Sequence, residues 1–210
     1  MLLDTLLFLA ATTPTASPEL HEARAAVFPP SAPFSEPALN LPYTYLGLSY
    51  ATTIVDGYSD DPSGLELDAS YALNDTWFVF GSRSFLQGEA SGSDVDLGGW
   101  HVGIGLHSSV AEHVDLVLGA GWTDVHADSA APGPSNDEGY ELRAGIRIAL
   151  GARAEASAGA SYSDLHDAGS DTALYLNGAY YLDPRFGLTA GFTSSNDVDT
   201  LVFGLRFVPR

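Results

Sequence analysis

From residue 43 onward, apolar and polar positions alternate with a period of two. In residues 97–109, LGGWHVGIGLHSS, one parity holds Trp100, Val102, Ile104 and Leu106, and the other holds His101, Gly103, Gly105 and His107. In residues 115–124, DLVLGAGWTD, Leu116, Leu118, Ala120 and Trp122 share one face, and the other carries Asp115, Gly119, Gly121 and Thr123. A period of two is that of a β-strand, whose side chains point to opposite faces in turn. Segments of the same texture occupy residues 43–54, 64–73, 76–87, 139–150, 154–165, 171–182, 186–194 and 199–208, which predicts ten strands. Between them lie short turns at 74–75, 110–113, 151–153 and 183–185. Longer polar connections at 56–63, 88–96, 127–138, 166–170 and 195–198 alternate with these turns. Strict alternation of short turns and longer loops is the pattern of an up-and-down barrel of the bacterial outer membrane.

Alternation alone also fits a soluble barrel or sandwich, so the second face has to decide. A soluble barrel would turn many long polar side chains outward. Here the polar parity is mostly Gly, Ser, Ala and Thr, with charges at Glu66, Asp68, Arg83, Asp115, Glu141, Arg143, Arg147, Glu155 and Arg206. Small residues with a few charges of both signs suit a narrow, filled lumen, and these nine are the candidate lumen charge network. The apolar parity sorts its aromatics toward the strand ends. Trp100, Trp122, Tyr140, Tyr162 and Phe192 lie near the longer loops, and Tyr71, Phe78, Tyr180, Phe186 and Phe207 near the short turns. Two aromatic rows around an aliphatic band predict the girdles of a bilayer-spanning barrel. The expected fold is thus all-β, a closed antiparallel up-and-down transmembrane barrel of about ten strands.

Composition narrows the partners. The 210 residues include 8 Lys plus Arg against 27 Asp plus Glu, a formal net charge of -19 that would repel nucleic-acid phosphates. With no Cys, disulfides, thiolate metal sites and thiol catalysis are excluded. No apolar run reaches the ~18 residues of a spanning helix, which leaves a closed barrel as the other spanning solution. Residues 1–16, MLLDTLLFLAATTPTA, read as a possible signal peptide with Asp4 in place of a basic n-region, and residues 17–42 as a Pro- and Ala-rich linker. Residues 43–208 are the barrel.

On LNDTWFVFG at 73–81, GWHVGIGL at 99–106, the segment 115–121 and EGYELRAGIRIALG at 138–151, the chain resembles the outer membrane protein β-barrel family. It is most similar to the ten-stranded Ax-type members from xanthomonad-like bacteria. The resemblance implies an outer-membrane barrel without catalytic residues or cofactors, inserted by the barrel-assembly machinery. Such barrels end on an aromatic residue, whereas here Phe207 is followed by Val208, Pro209 and Arg210.

Three constellations could carry chemistry. The lumen charges read either as a pore constriction or as a structural ion-pair network, and a ten-stranded lumen leaves so little space that pairing is the expectation. His107 and Ser109 resemble the His-x-Ser of outer-membrane lipid A deacylases, but no Asn follows and no carboxylate partner is evident. Acidic loop residues, namely Asp56, Asp60, Asp61, Glu89, Asp94, Asp96, Asp128, Asp137, Glu138, Asp167, Asp171, Asp197 and Asp199, could attract divalent cations, although their spacing matches no calcium loop. The six His show no paired metal spacing. The expected function is structural or surface-interacting: a monomer with a largely plugged lumen, in contact with outer-membrane lipid and lipopolysaccharide. The alternatives are a narrow porin or small-solute channel, a lipid-modifying enzyme and a soluble ligand-binding barrel.

Overall fold

The computed structural model describes residues 40–209 except 56–57, 91–92, 130–134 and 197. The possible signal peptide and nearly all of the linker lie outside the described residues.

Ten strands follow one another: β1 (Tyr45–Val55), β2 (Tyr58–Ala72), β3 (Trp77–Ala90), β4 (Ser93–Ala111), β5 (Val114–Ser129), β6 (Ser135–Ala149), β7 (Ala154–Leu165), β8 (Gly169–Tyr181), β9 (Phe186–Ser194) and β10 (Val198–Phe207). Each pairs antiparallel with its sequence neighbours. β1 closes on β10 from Leu46 against Phe207 to Val55 against Val198, so the ladder runs round the whole ring, and among the described residues one-sided pairing is confined to strand ends that outrun a shorter neighbour, such as residues 169–173 of β8. Closure is what a lipid-facing sheet requires, because hydrocarbon offers no partner for an edge N–H or C=O.

The exposed surface is apolar. Leu48, Leu67, Ile104, Leu118, Leu142, Leu176 and Phe203 are all exposed on the outer face, while Ser49, Ser70, Asp115, Arg147 and Glu155 are buried inside. This inversion of the soluble rule is the signature of a wall that meets lipid outside and closes over polar groups inside.

Two strand-level expectations are corrected. The connections at one end are shorter than the sequence suggests, because most of residues 58–63, 88–96 and 127–138 continue the ladder. β4 reaches 19 residues and β5 16, well past the 9 and 10 of β9 and β10. Cross-strand pairing overrides the weak strand propensity of these Asp-, Ser- and Gly-rich stretches. Polarity inverts along this extension. Exposed Asp94, Asp96 and Asp128 take the outer parity of Val102 and Ile104, while buried Val95 and half-buried Leu86 and Leu97 face inward. The sheet therefore leaves the apolar band near Trp100 and stands in water above it. Consequently Asp60, Asp61, Glu89, Asp94, Asp96, Asp128, Asp137, Glu138, Asp171 and Asp199 lie on strands, Asp167 on a turn, and Asp56 and Asp197 outside the described residues.

The second correction concerns β3. Trp77, Val79, Arg83 and Phe85 face outward, whereas Phe78 and Phe80 face inward. Four consecutive apolar residues, WFVF, carry no parity signal, so only the register against β4 sets the face. Phe78 lies opposite Gly105 and Phe80 opposite Gly103, and each ring occupies the space that a Cβ on its glycine partner would need. Phe78 thus leaves the girdle, and Trp77 takes that place.

The opposite end is made of tight turns. Asn74 Oδ1 accepts the N–H groups of Thr76 and Trp77 at 2.9 Å each, and Asp183 Oδ1 those of Arg185 and Phe186 at 2.7 and 3.0 Å. These are Asx turns, which Asn and Asp favour by replacing a backbone acceptor. The β4–β5 turn needs a left-handed residue, and His113 supplies it with φ of 67°.

Candidate functional site

The candidate site is the lumen, which narrows in two tiers. At the end bearing the tight turns, residues 40–44 precede β1 and fold into the barrel mouth. Tyr43 is buried there, although the sequence reads it only as the start of the first strand. Its carbonyl oxygen accepts the Ser70 hydroxyl of β2 at 2.8 Å, and its own hydroxyl donates to Asp115 Oδ2 of β5 at 2.9 Å. The ring stacks on His107 of β4 with centroids 3.7 Å apart and planes 8° from parallel, and tilts against Phe78 at 5.1 Å. The Arg147 guanidinium of β6 stands 4.9 Å from its centroid and donates to the Pro42 carbonyl at 2.8 Å. The segment therefore bridges the mouth, its main chain held by Ser70 of β2 and Arg147 of β6 and the Tyr43 side chain by Asp115 of β5.

Beside it runs a buried ion-pair chain. Glu155 of β7 accepts from Arg147 at 2.7 and 2.8 Å and also pairs with Arg206 of β10 at 2.5 Å. Arg206 in turn stacks over Tyr45, 4.1 Å from the ring centroid. A carboxylate shared by two guanidiniums compensates charge that burial would otherwise make costly.

The second tier sits nearer mid-barrel. Arg143 of β6 reaches Glu141 Oε1 at 2.6 and 2.9 Å, contacts His101 Nδ1 at 3.0 Å and lies 4.5 Å from the Phe80 centroid. The Tyr175 hydroxyl lies where a Cβ on Gly145 or Gly159 would be. Glycines on β4 to β7 thus make room for large side chains laid flat across them.

Along the other wall the lumen stays open. A cavity of about 490 Å³ is lined on this side by Ser49, Glu66, Asp68, Asn177, Thr189 and Thr193, and it reaches Arg143, Arg147 and Arg206. Among the described residues Glu66 and Asp68 make no hydrogen bond and no ion pair within 4.0 Å, whereas Glu141 and Glu155 each have a guanidinium partner.

Eight of the nine sequence-predicted lumen charges, namely Glu66, Asp68, Asp115, Glu141, Arg143, Arg147, Glu155 and Arg206, line this interior. Arg83 does not. It shares β3's outer parity, is exposed, and holds its guanidinium 5.1 Å from the Phe85 ring, opposite Trp100. A long side chain near the edge of the apolar band can lay its stem on an aromatic and keep its charge in the polar layer, so a charge on a strand need not face inward. Of the predicted girdle aromatics, Tyr71, Trp122, Tyr140, Tyr162, Tyr180, Phe186 and Phe192 are exposed on the outer face. Trp100 and Phe207 share that parity and are half-buried, and only Phe78 is inward. Tyr43, Phe80, His101 and Tyr175 carry no signal of a lumen site in their own strand pattern. The sequence signal for Phe78, Phe80 and Tyr175 is the glycine opposite each, Gly105, Gly103 and Gly159, which is readable only once the pairing is known.

The His107 and Ser109 pair does have a carboxylate. Asp115 Oδ1 accepts the Ser109 hydroxyl at 2.6 Å, and its Oδ2 lies 3.5 Å from His107 Nδ1. The serine proton thus points at the carboxylate rather than at the imidazole, the reverse of the order a nucleophile-base-orienter relay uses. Among the described residues no group of three His, Asp or Glu side chains is placed to hold a metal ion.

The model of the outer membrane protein beta-barrel domain family matches residues 25–182. No curated protein matches the chain. Among solved structures, neisserial surface protein A is 14% identical with a TM-score of 0.43, over 79% of this chain and 96% of that one. The attachment invasion locus protein Ail of Yersinia pestis is 22% identical with a TM-score of 0.34, over 78% and 95%. KdgM porin is 10% identical with a TM-score of 0.45, over 78% and 99%.

Proposed function

Since the chain belongs to the outer membrane protein beta-barrel domain family and so to the Gram-negative outer membrane, we propose that it serves there as a structural or surface-interacting barrel. In this reading its lumen is closed at rest and it has no catalytic activity. Within the family the strand texture is most similar to the ten-stranded Ax-type members. The termini and tight turns face the periplasm, and the acidic strand extensions stand above the outer leaflet among lipopolysaccharide. The carrying observation is the bridge of Tyr43 across the barrel mouth, from Ser70 on one wall to Asp115 on the other. Side chains that meet across the mouth leave no room there for a file of solute and water.

The test is conductance of the refolded full chain in planar bilayers. The expected result is a silent membrane alongside heat-modifiable gel migration, and steady channels would overturn the closed-lumen reading. A narrow small-solute channel is the second reading, and the 490 Å³ cavity beside Glu66 and Asp68 favours it.

A further inference from the structure

Resting on the closed-lumen reading, we propose that residues 40–44 are a removable stopper, and that the path they close passes small cations in preference to anions. The closure at the tight-turn mouth has two components. The Arg147–Glu155–Arg206 chain belongs to the wall, since all three residues sit on strands held by the barrel ladder. Tyr43 does not. It precedes β1, and its segment is anchored by side-chain bonds: Ser70 to its carbonyl, its hydroxyl to Asp115, Arg147 to the Pro42 carbonyl, and Thr44 Oγ1 accepting the Ala72 N–H at 3.0 Å. The segment can withdraw without breaking one strand-to-strand pair of the barrel. That separates it from every other group in the lumen.

Its seat is also built to receive a ring. His107 presents a parallel face, Phe78 a tilted one and Arg147 a cation, so the phenol sits between two aromatics and under a guanidinium. Each of these contacts is individually modest. Together they make a seated state that a few decades of equilibrium constant can reverse, which is the range of a switch rather than of a fold.

Withdrawal would join the mouth to the cavity above. There Arg143 is paired with Glu141, and Arg147 and Arg206 with Glu155, while Glu66 and Asp68 make no ion pair within 4.0 Å and Asp68 feels the Arg206 charge only from across Gly47, so that Glu66, Asp68, Asp115, Glu141 and Glu155 outnumber the three guanidiniums. The field left along the open wall is negative. That side also carries hydroxyls and an amide, from Ser49, Thr189, Thr193, Thr200 and Asn177, which can solvate a small cation.

The experiment compares wild type, Tyr43→Ala and the double variant Tyr43→Phe with Ser70→Ala, each as the refolded full chain in planar bilayers under a salt gradient. Heat-modifiable migration and protease protection in liposomes report folding and insertion separately. Removing a hydrogen bond to a charged group is worth about a decade or more in an equilibrium, so Tyr43→Ala is expected to raise open probability roughly tenfold or more over a near-silent wild type. The double variant, which keeps the ring but loses both ties, should give shorter openings. The reversal potential should lie toward the cation in both. Adding Glu66→Gln and Asp68→Asn to Tyr43→Ala should abolish that preference while channels persist. Silence in whichever of the two stopper variants folds and inserts overturns the stopper. Currents without cation preference overturn the selectivity. Steady conduction by wild type instead overturns the closed-lumen reading on which the stopper rests.

Discussion

Arg147 and Glu155 meet diagonally across adjacent strands as a two-pronged pair, the guanidinium Nη2 lying 2.7 and 2.8 Å from the two carboxylate oxygens. Arg206, arriving from the strand that closes the barrel, takes the same carboxylate. This one anion therefore holds together β6, β7 and β10, and the seam between the first and last strands closes next to it.

Replacing Glu155 with Ala leaves two guanidiniums buried without their shared counter-charge. Breaking one partner of a buried pair costs about 3–5 kcal/mol, so Glu155→Ala should unfold at markedly lower urea than wild type. Glu112, exposed on the β4–β5 turn, serves as the control, and Glu112→Ala should be near neutral. Equal midpoints for the two variants would count against the ion-pair chain as a structural tie.

The inward setting of Phe78 rests on the absence of a Cβ at Gly105. Gly105→Val should force the ring aside and destabilise by about 1–3 kcal/mol, as overpacking does. Combining it with Phe78→Ala should recover part of the loss, because the second change vacates the space. A double variant that merely adds the two penalties would show that the residues do not share a site.

Leu176 and Asn177 are adjacent on β8 and face opposite ways, the first toward lipid and the second toward the lumen cavity. An Arg on the lipid face near mid-bilayer costs roughly 2–4 kcal/mol, so Leu176→Arg should lower the folded fraction in lipid vesicles while Asn177→Arg should leave it near wild type. The reverse ordering would reverse the assignment of the two faces.

His113 occupies a left-handed conformation with φ of 67°, which strains an L side chain by about 1–2 kcal/mol. Here His113→Gly is expected to stabilise the barrel by roughly 0.4–1 kcal/mol, since glycine relieves the strain but loses more freedom on folding. Equilibrium unfolding in urea would measure it, and a destabilised variant would mean that the imidazole makes a compensating contact.

The period-two alternation by itself determined ten strands in antiparallel order, the lipid-facing parity of nine of them, and eight of the inward charges. These follow from chemistry local to each strand: neighbouring residues must face opposite sides, and only one side meets hydrocarbon. What tertiary structure decided depends on pairing between strands. In WFVF both parities are apolar, so Phe78 is inward only because Gly105 lies opposite it, and Arg83 is outward because the same register carries it there. The polar stretches 88–90 and 93–96 are strands only because their neighbours template them. The bond from Tyr43 to Asp115 spans 72 residues of sequence, and no local pattern announces it. It exists because ten strands close into a ring narrow enough for one side chain to cross.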